Sequence, residues 1–312
     1  MKNVLVIGGT YFAGRVHAIL TSRGQAQRDD LHLHLVNRGR HPISGLDNIS
    51  QYICDRHEAE KLPSVLPQGM IFDAVVDFCA YEPNDIASVI NALSGQIRQY
   101  IFLSTSSVYK NNDGTLKTED ADILSAPDFV GGTVEDYVKK KCLLETELRT
   151  ACAEAGIPFT ILRPAFIYGP FNYAPRESWF VQQICQRNPI PFPQDADSGF
   201  SFVYVMDVAD IINLCIADER AYNQVFNLAS PEAQTYDTFM NVLRECADIP
   251  FSTYNVTVEQ VLERNLPLPW PLDESLLYSG EKVTETFGYH YTPFLTGMKK
   301  TYSVFKTVYT PR

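Results

Sequence analysis

No apolar run in this 312-residue chain reaches the roughly 18 to 20 uncharged residues that a bilayer-spanning helix needs. The N-terminal residues enter a strand pattern at once, without a signal-peptide apolar region, so a cytoplasmic location with no membrane partner is expected. Seven cysteines (Cys54, Cys79, Cys142, Cys152, Cys185, Cys215, Cys246) are scattered singly, with no CxxC pair and an odd total. That argues against a disulfide framework and against a zinc site. His32 and His34 alternate on one strand face with no third ligand at a recognisable spacing, so no metal is expected. Positive charge is also scarce: 26 Lys and Arg face 37 Asp and Glu, a net −11, and the one dense basic run is Lys139-Lys140-Lys141. A phosphate backbone would be repelled, and nucleic acid is not the expected partner. Internal repeats, low-complexity tracts and flexible linkers are missing too.

What is present is a globular composition, 45% hydrophobic and 20% charged, long enough for a well-buried core. Apolar, β-branched runs at 4–7, 31–36, 72–78, 99–104 and 159–163 alternate with helical stretches. This rhythm predicts βαβ units and a buried parallel sheet, with ligands at the carboxyl ends of the strands. After about residue 169 the segments PFNYAPRE, NPIPFPQDADSG and LPLPWPLDE are rich in proline and polar residues, as in loops of a smaller lobe. Strand–helix–strand patterning returns at 200–216 and 224–230. The expected division is therefore interleaved: 1–168 with 201–229 as a nucleotide-binding domain, and 169–200 with 230–312 as a substrate-binding lobe.

The run Val4-Leu5-Val6-Ile7 breaks into Gly8-Gly9-Thr10-Tyr11-Phe12-Ala13-Gly14. Such a strand-to-helix turn brings backbone amides and a positive helix end close to a diphosphate. Gly8, Thr10, Tyr11, Phe12, Ala13 and Gly14 are accordingly candidate cofactor contacts, although Tyr11 stands where such loops normally carry their middle glycine. The next strand ends in Asn37-Arg38-Gly39-Arg40 in place of the acid that usually meets a ribose lacking a 2′-phosphate. Asn37 and Arg38 thus favour NADP over NAD, against the alternative of solvated loop residues. Asp55 and Arg56 are further candidate cofactor contacts, Asp55 either accepting from an adenine amino group or capping a helix. Phe78, Cys79 and Ala80 end another strand and face the cofactor ribose if the sheet order holds.

In EDYVKKKCLLETELRTACAEAGIP, Leu144, Leu148, Ala151 and Ala155 form an apolar stripe at helical spacing, stopped by Gly156 and Pro158. Tyr137 and Lys141 lie at i and i+4 on that helix, so their side chains point the same way. A nearby ammonium lowers a phenol's pKa and makes it a usable proton acceptor and donor. The alternative is a core tyrosine beside a surface lysine.

Taken in order, the glycine loop, the hydroxyl-bearing strand end LSTSSVYK, YxxxK at Tyr137 and Lys141, LRPAFIYGP at 162–170, FVYVMDVAD and FNLAS resemble the extended short-chain dehydrogenase/reductase superfamily. The group resembled is the NAD-dependent epimerases and dehydratases, and the likeness covers nearly the whole chain. It implies a Rossmann-type doubly wound parallel sheet with a smaller C-terminal α/β substrate-binding lobe. By the same resemblance Tyr137 is the acid/base, Lys141 holds the nicotinamide ribose and tunes Tyr137, and Thr105, four residues before Tyr109, bonds the reacting oxygen. Phe12 and Ala13 offer amides to the diphosphate, Pro164 to Ile167 meet the carboxamide by backbone, and Asp207 is structural. A nucleotide sugar is the expected substrate, with Arg176 as a candidate contact for its phosphate, and a homodimer is the expected assembly.

Three departures qualify the resemblance. Ser106 and Ser107 stand where dehydratases of the family carry an aspartate and a glutamate, so dehydration lacks its acid and base. The asparagine often found on the preceding helix has no clear counterpart, Asn84 being nearest. GGTYFAGR, NRG and DRHE are similar to an atypical branch that includes chloroplast stem-loop RNA-binding proteins. Three readings follow: an epimerase or oxidoreductase of a nucleotide sugar, an NADPH-dependent carbonyl reductase with the same triad, and a non-catalytic nucleotide- or RNA-binding member.

Overall fold

The uninterrupted apolar run near the N-terminus forms β1 (Lys2–Ile7), a strand covered on both faces. Val4 and Val6 pack into one apolar cluster, Leu5 and Ile7 into another, the pattern of a central parallel strand. The computed structural model describes residues 1–24, 30–43, 45–110, 114–125, 128–129 and 132–310. After β1 come α1 (Phe12–Ser22), β2 (Leu31–Asn37), β3 (Ile49–Ile53), α2 (Leu62–Val65), β4 (Ala74–Asp77), α3 (Asp85–Ala92) and β5 (Tyr100–Leu103). The long α4 (Thr133–Ala155) leads to β6 (Phe159–Pro164), β7 (Phe166–Tyr168), α5 (Glu177–Gln186), β8 (Ile190–Pro193), β9 (Phe202–Tyr204), α6 (Val205–Cys215) and β10 (Gln224–Leu228). The chain closes with α7 (Tyr236–Cys246), β11 (Thr253–Val256), α8 (Val258–Glu263), α9 (Glu281–Phe287) and α10 (Phe294–Tyr309).

Seven strands pair in the order β10-β6-β5-β4-β1-β2-β3, every pair parallel. This is the Rossmann-type α/β sheet that the alternating pattern predicts. The order reverses between β1 and β4, and in such sheets the crevice outside the strand ends at that point takes ligands. α1 and α6 cover one face, α3 and α4 the other. Ile49-Ser50-Gln51-Tyr52-Ile53 carries no apolar run because β3 is an edge strand, paired with β2 alone and with Ile53 exposed. His32 and His34 of β2 turn to ordinary partners: His32 bonds Ser50 Oγ at 2.9 Å, and His34 bonds Tyr52 OH and Asn3 Oδ1. No described helix is long and apolar enough to cross a membrane.

Outside the large sheet, β7 pairs with β9 and β8 with β11. Phe200, Phe202, Trp270 and Phe294 stack there in one aromatic cluster. It is continuous with the Val4 and Val6 face of the sheet.

Asp207 of α6 is buried and holds the C-terminal segment. It accepts from Thr292 N at 3.0 Å, Thr292 Oγ1 at 2.6 Å and Tyr289 OH at 3.0 Å. The same phenol lies 3.4 Å from Asp210 Oδ2 but has one proton, and Asp210 Oδ1 has no partner among the described residues. Burial, with the charge of Asp207 beside it, raises the Asp210 carboxyl to about 6. A carboxyl raised on folding favours the folded state when protonated, so this contribution is lost as pH climbs from the unfolded value of about 4 through 6. Asp210→Asn is therefore expected to melt at a higher temperature than the parent at pH 7.5, the gap closing by pH 4; thermal denaturation across pH checks this.

Candidate functional site

The crevice at the β1/β4 reversal is a cavity of about 870 Å³. Its floor is the turn from β1 into α1. Gly9 has φ +71°, and a Cβ added at Gly14 would lie 2.7 Å from the Gly9 Cα, so only glycine lets the first turn of the helix sit against the loop. Tyr11, by contrast, has φ −136° and ψ 141°, an extended conformation open to any residue. The missing middle glycine is thus no backbone defect. The strain sits one residue on, at Phe12 with φ +36°, where a bulky residue costs about 1–3 kcal/mol. No side chain caps α1 and no acid stands in its first turn. Its leading amides and the positive end of its dipole are left for an anion in the cleft, and the backbone fits a diphosphate there.

At the end of β2, Asn37 Oδ1 accepts from Gly39 N at 2.9 Å and Gln51 Nε2 at 2.8 Å, while its buried Nδ2 has no partner among the described residues. Arg38, Arg40 and His41 follow as exposed groups on the cavity wall. Asp55 lines the same wall and also caps the kinked 3-10 segment Arg56–Lys61, accepting from His57 N at 3.1 Å. The capping alternative therefore holds. Arg56, the other candidate of this pair, lines the same cavity. Its Nη1 donates to both Asp77 oxygens (2.8 and 3.0 Å), and Nε lies 3.2 Å from Asp85 Oδ1. The guanidinium is spent on the protein because Asp77, fully buried at the end of β4, needs neutralising. Tyr100 OH (2.7 Å) and Cys79 N (2.9 Å) complete that carboxylate's shell. Phe78 and Cys79 line the cleft, but Ala80 is fully buried behind it.

The Ala80 carbonyl has another use. Lys141, 2% exposed, donates from Nζ to Ala80 O and Leu103 O, each at 3.0 Å. Its ammonium also faces the rings of Tyr81 at 4.6 Å and Phe102 at 4.7 Å. Burial, partly offset by the charge of Asp77, lowers its pKa to about 8. Tyr137 lies one turn away at the cleft surface, 39% exposed, with its ring 5.9 Å from the ammonium. The expected lowering of the phenol by Lys141 is not what dominates. Burial raises Tyr137, and the groups pulling it back down are the Thr105 hydrogen bond and the Arg176 charge. A buried ammonium already shared between two carbonyls, at this distance, does not outweigh the desolvation of the phenol.

Thr105 caps the turn Ser106–Val108 by accepting from Ser107 N at 3.2 Å, and its hydroxyl lies 3.2 Å from Ser107 Oγ. Beneath it Ser104 donates to Glu145 Oε1 at 2.7 Å. Glu145, four residues beyond Lys141 on the same face of α4, pairs with Arg163 of β6 at 2.9 and 2.6 Å. Arg163 also donates to Tyr109 OH at 2.8 Å, and Tyr109 donates to Asn227 Oδ1 of β10 at 2.6 Å. This buried network fixes α4 across β5, β6 and β10. Leu144 and Leu148 are buried as expected, but the third member of their stripe is Cys152, while Ala151 is half-buried and Ala155 exposed. Steps of four keep one side of the helix against the sheet, and Gly156 at φ +67° ends it.

Pro164, Ile167 and Arg176 complete the opposite wall, the Arg176 guanidinium lying 5.2 Å from the Phe166 ring. Of the residues expected at the site, all but Ala80 face this one cavity. Asn84 does not; it precedes α3, where its backbone N donates to Glu147. Sequence reasoning missed Glu145 and Asp77 as organisers, and His41, Tyr173 and Tyr278 on the wall. Glu145 was legible at i+4 from Lys141; no local pattern points to Tyr278.

Residues 82–229 match the NAD dependent epimerase/dehydratase family. The chloroplast stem-loop binding protein of 41 kDa b of Arabidopsis thaliana is 29% identical over 261 residues, 79% of this chain and 62% of that protein. UDP-glucose 4-epimerase of Vibrio cholerae is 29% identical over 155 residues, 47% of this chain and 44% of that one. The chain thus spans less than two thirds of these curated relatives. The solved UDP-glucuronic acid 4-epimerase from Bacillus cereus, in complex with UDP-glucuronic acid and NAD, superposes with TM-score 0.75 at 16% identity, covering 98% of this chain and 100% of that one. UDP-glucose 4-epimerase from Thermotoga maritima gives 0.72 at 20%, covering 98% and 99%. These two likenesses are of fold.

Removing Glu145 leaves Arg163 buried without its carboxylate. Glu145→Ala is expected to cost about 3–5 kcal/mol of stability, read as a lowered urea midpoint at unchanged slope.

Proposed function

We propose that the chain is an NAD(P)-dependent epimerase or oxidoreductase of a nucleotide sugar, a reading that starts from the match of residues 82–229 to the NAD dependent epimerase/dehydratase family. The observation that carries this reading is the convergence of Tyr137, Lys141 and Thr105 with the open amide end of α1 on one cleft. The interleaved division into a nucleotide-binding part (1–168 and 201–229) and a substrate lobe (169–200 and 230–312) belongs to the same proposal.

A bound nicotinamide supplies a hydride acceptor and donor beside the sugar. Tyr137 takes the proton from a ring hydroxyl as the keto intermediate forms, and returns it at the end. Thr105 hydrogen-bonds the reacting oxygen and, with Arg176, eases ionisation of the phenol. Lys141 spends two of its three donors on Ala80 and Leu103, and the third would hold the nicotinamide ribose. Because Ser106 and Ser107 follow Thr105, no carboxylate adjoins it to drive elimination, which favours epimerisation over dehydration. Names among the relatives, UDP-glucose 4-epimerase and UDP-glucuronic acid 4-epimerase, support a UDP-sugar.

The exposed cations Arg38 and Arg40 after β2 favour NADP, and with it a second reading, net reduction of a carbonyl by NADPH. Stem-loop binding by the Arabidopsis relative raises a non-catalytic RNA-binding role, which a net charge of −11 disfavours.

Pure protein incubated with UDP-hexoses should interconvert two sugars without consuming cofactor. Tyr137→Phe should lower that rate by roughly 10²- to 10⁴-fold. Arg176→Gln should push the alkaline rise of activity to higher pH, because loss of a cation raises the phenol pKa. No isomer formed, with NADPH consumed on a carbonyl substrate, would overturn the epimerase in favour of the reductase. Mass spectrometry of the copurifying dinucleotide tests NADP against NAD.

A further inference from the structure

Three aromatic side chains meet across the mouth of the cleft, from segments far apart in sequence. Tyr11 projects from the glycine loop, 54% exposed, and Tyr173 from the connection between β7 and α5, 64% exposed. Their ring centroids are 4.9 Å apart, and His41, from the segment after β2, lies 5.4 Å from the Tyr11 ring. All three line the cavity. Phe12 meets Tyr173 edge-on at 6.1 Å, and the Arg15 guanidinium of α1 lies 5.7 Å from the Phe171 ring.

The backbone under these rings is set for the contact. Tyr11 adopts an ordinary extended conformation, but Phe12 beside it (φ +36°) and Phe171 opposite (φ +67°) occupy the left-handed region. Bulky residues held in that region persist where surrounding structure over-determines them, often at ligand clamps. The Tyr173 loop is staked by Glu177, fully buried, whose carboxylate accepts from Gly169 N and Asn172 Nδ2 at 3.0 Å each. The glycine loop is pinned by Gly14 against Gly9. Two fixed backbones thus carry exposed rings on rotatable bonds.

We propose that Tyr11, Tyr173 and His41 form an aromatic clasp that closes over a dinucleotide held on the glycine loop and retains it between turnovers. The proposal rests on the reading that the cleft binds NAD or NADP. It gives the residue in the middle-glycine position a use: a glycine there serves close approach alone, whereas a tyrosine adds a latch. It also bears on the net reaction, since a reductase exchanges its cofactor every turnover and an epimerase keeps it.

The test is stopped-flow release of NADPH and of NADH from the whole protein, followed by nucleotide fluorescence. Aromatic pairs of this geometry support a change of roughly three- to tenfold. Tyr11→Ala and Tyr173→Ala should each speed release by that factor while association stays within twofold. The double variant should match the singles, because both remove one shared contact. Tyr11→Phe and Tyr173→Phe keep the rings and should release at the parental rate, which damage to the loop backbone would not reproduce. Release within twofold of the parent in both alanine variants, or effects that multiply in the double variant, overturns the clasp alone. Failure of the parent protein to bind either nucleotide overturns the cofactor reading and the clasp with it.

Discussion

A lysine taken out of water has to be solvated by something else, and at Lys141 that constraint organises the cleft. Its ammonium is met by the carbonyl of Ala80, just past β4, by that of Leu103, which ends β5, and by the faces of two aromatic rings. This solvation holds only if α4 lies at one height and rotation against the sheet. The Glu145–Arg163 pair, with Ser104, Tyr109 and Asn227, supplies that registration from the helix face below. Tyr137, a turn further on, is brought to the cleft surface as a result. The position of Tyr137 is therefore set by a polar network to which its own side chain does not belong.

The glycine loop shows a different economy. Close approach is needed where Gly14 meets Gly9, and there a side chain is excluded. At Tyr11 the backbone is extended and side-chain identity is free. The residue that departs from the familiar pattern thus stands at the position where departure costs the backbone least.

Much of the architecture was legible in sequence because burial on both faces leaves uninterrupted apolar runs, as in β1, and because helix-ending glycine marks the end of α4. β3 escaped notice for the converse reason: an edge strand with one neighbour is under weak pressure to be apolar. The expected wall residues converge because motifs at strand ends are local in sequence and strand order does the rest. One expectation failed on electrostatics, and one candidate's surroundings went unread. Arg56 was named beside Asp55 with no sign that its partner, Asp77, lies 21 residues away. Tyr137 was read as lowered by Lys141, because helical spacing reports direction and not burial. Neither a distant counter-charge nor the extent of desolvation is written in a local pattern.

The apolar cluster that begins at Val4 and Val6 continues without a break through α6 to Trp270, Phe294 and Phe305. The sheet and the C-terminal elements thus share one interior and have no seam along which evolution or an engineer could exchange one for the other intact. A new substrate range in such a molecule is most cheaply acquired by redrawing short surface connections. The segment between β7 and α5, which brings Tyr173 and Arg176 to the cleft while adding no side chain to that apolar cluster, is the natural place for that variation to collect.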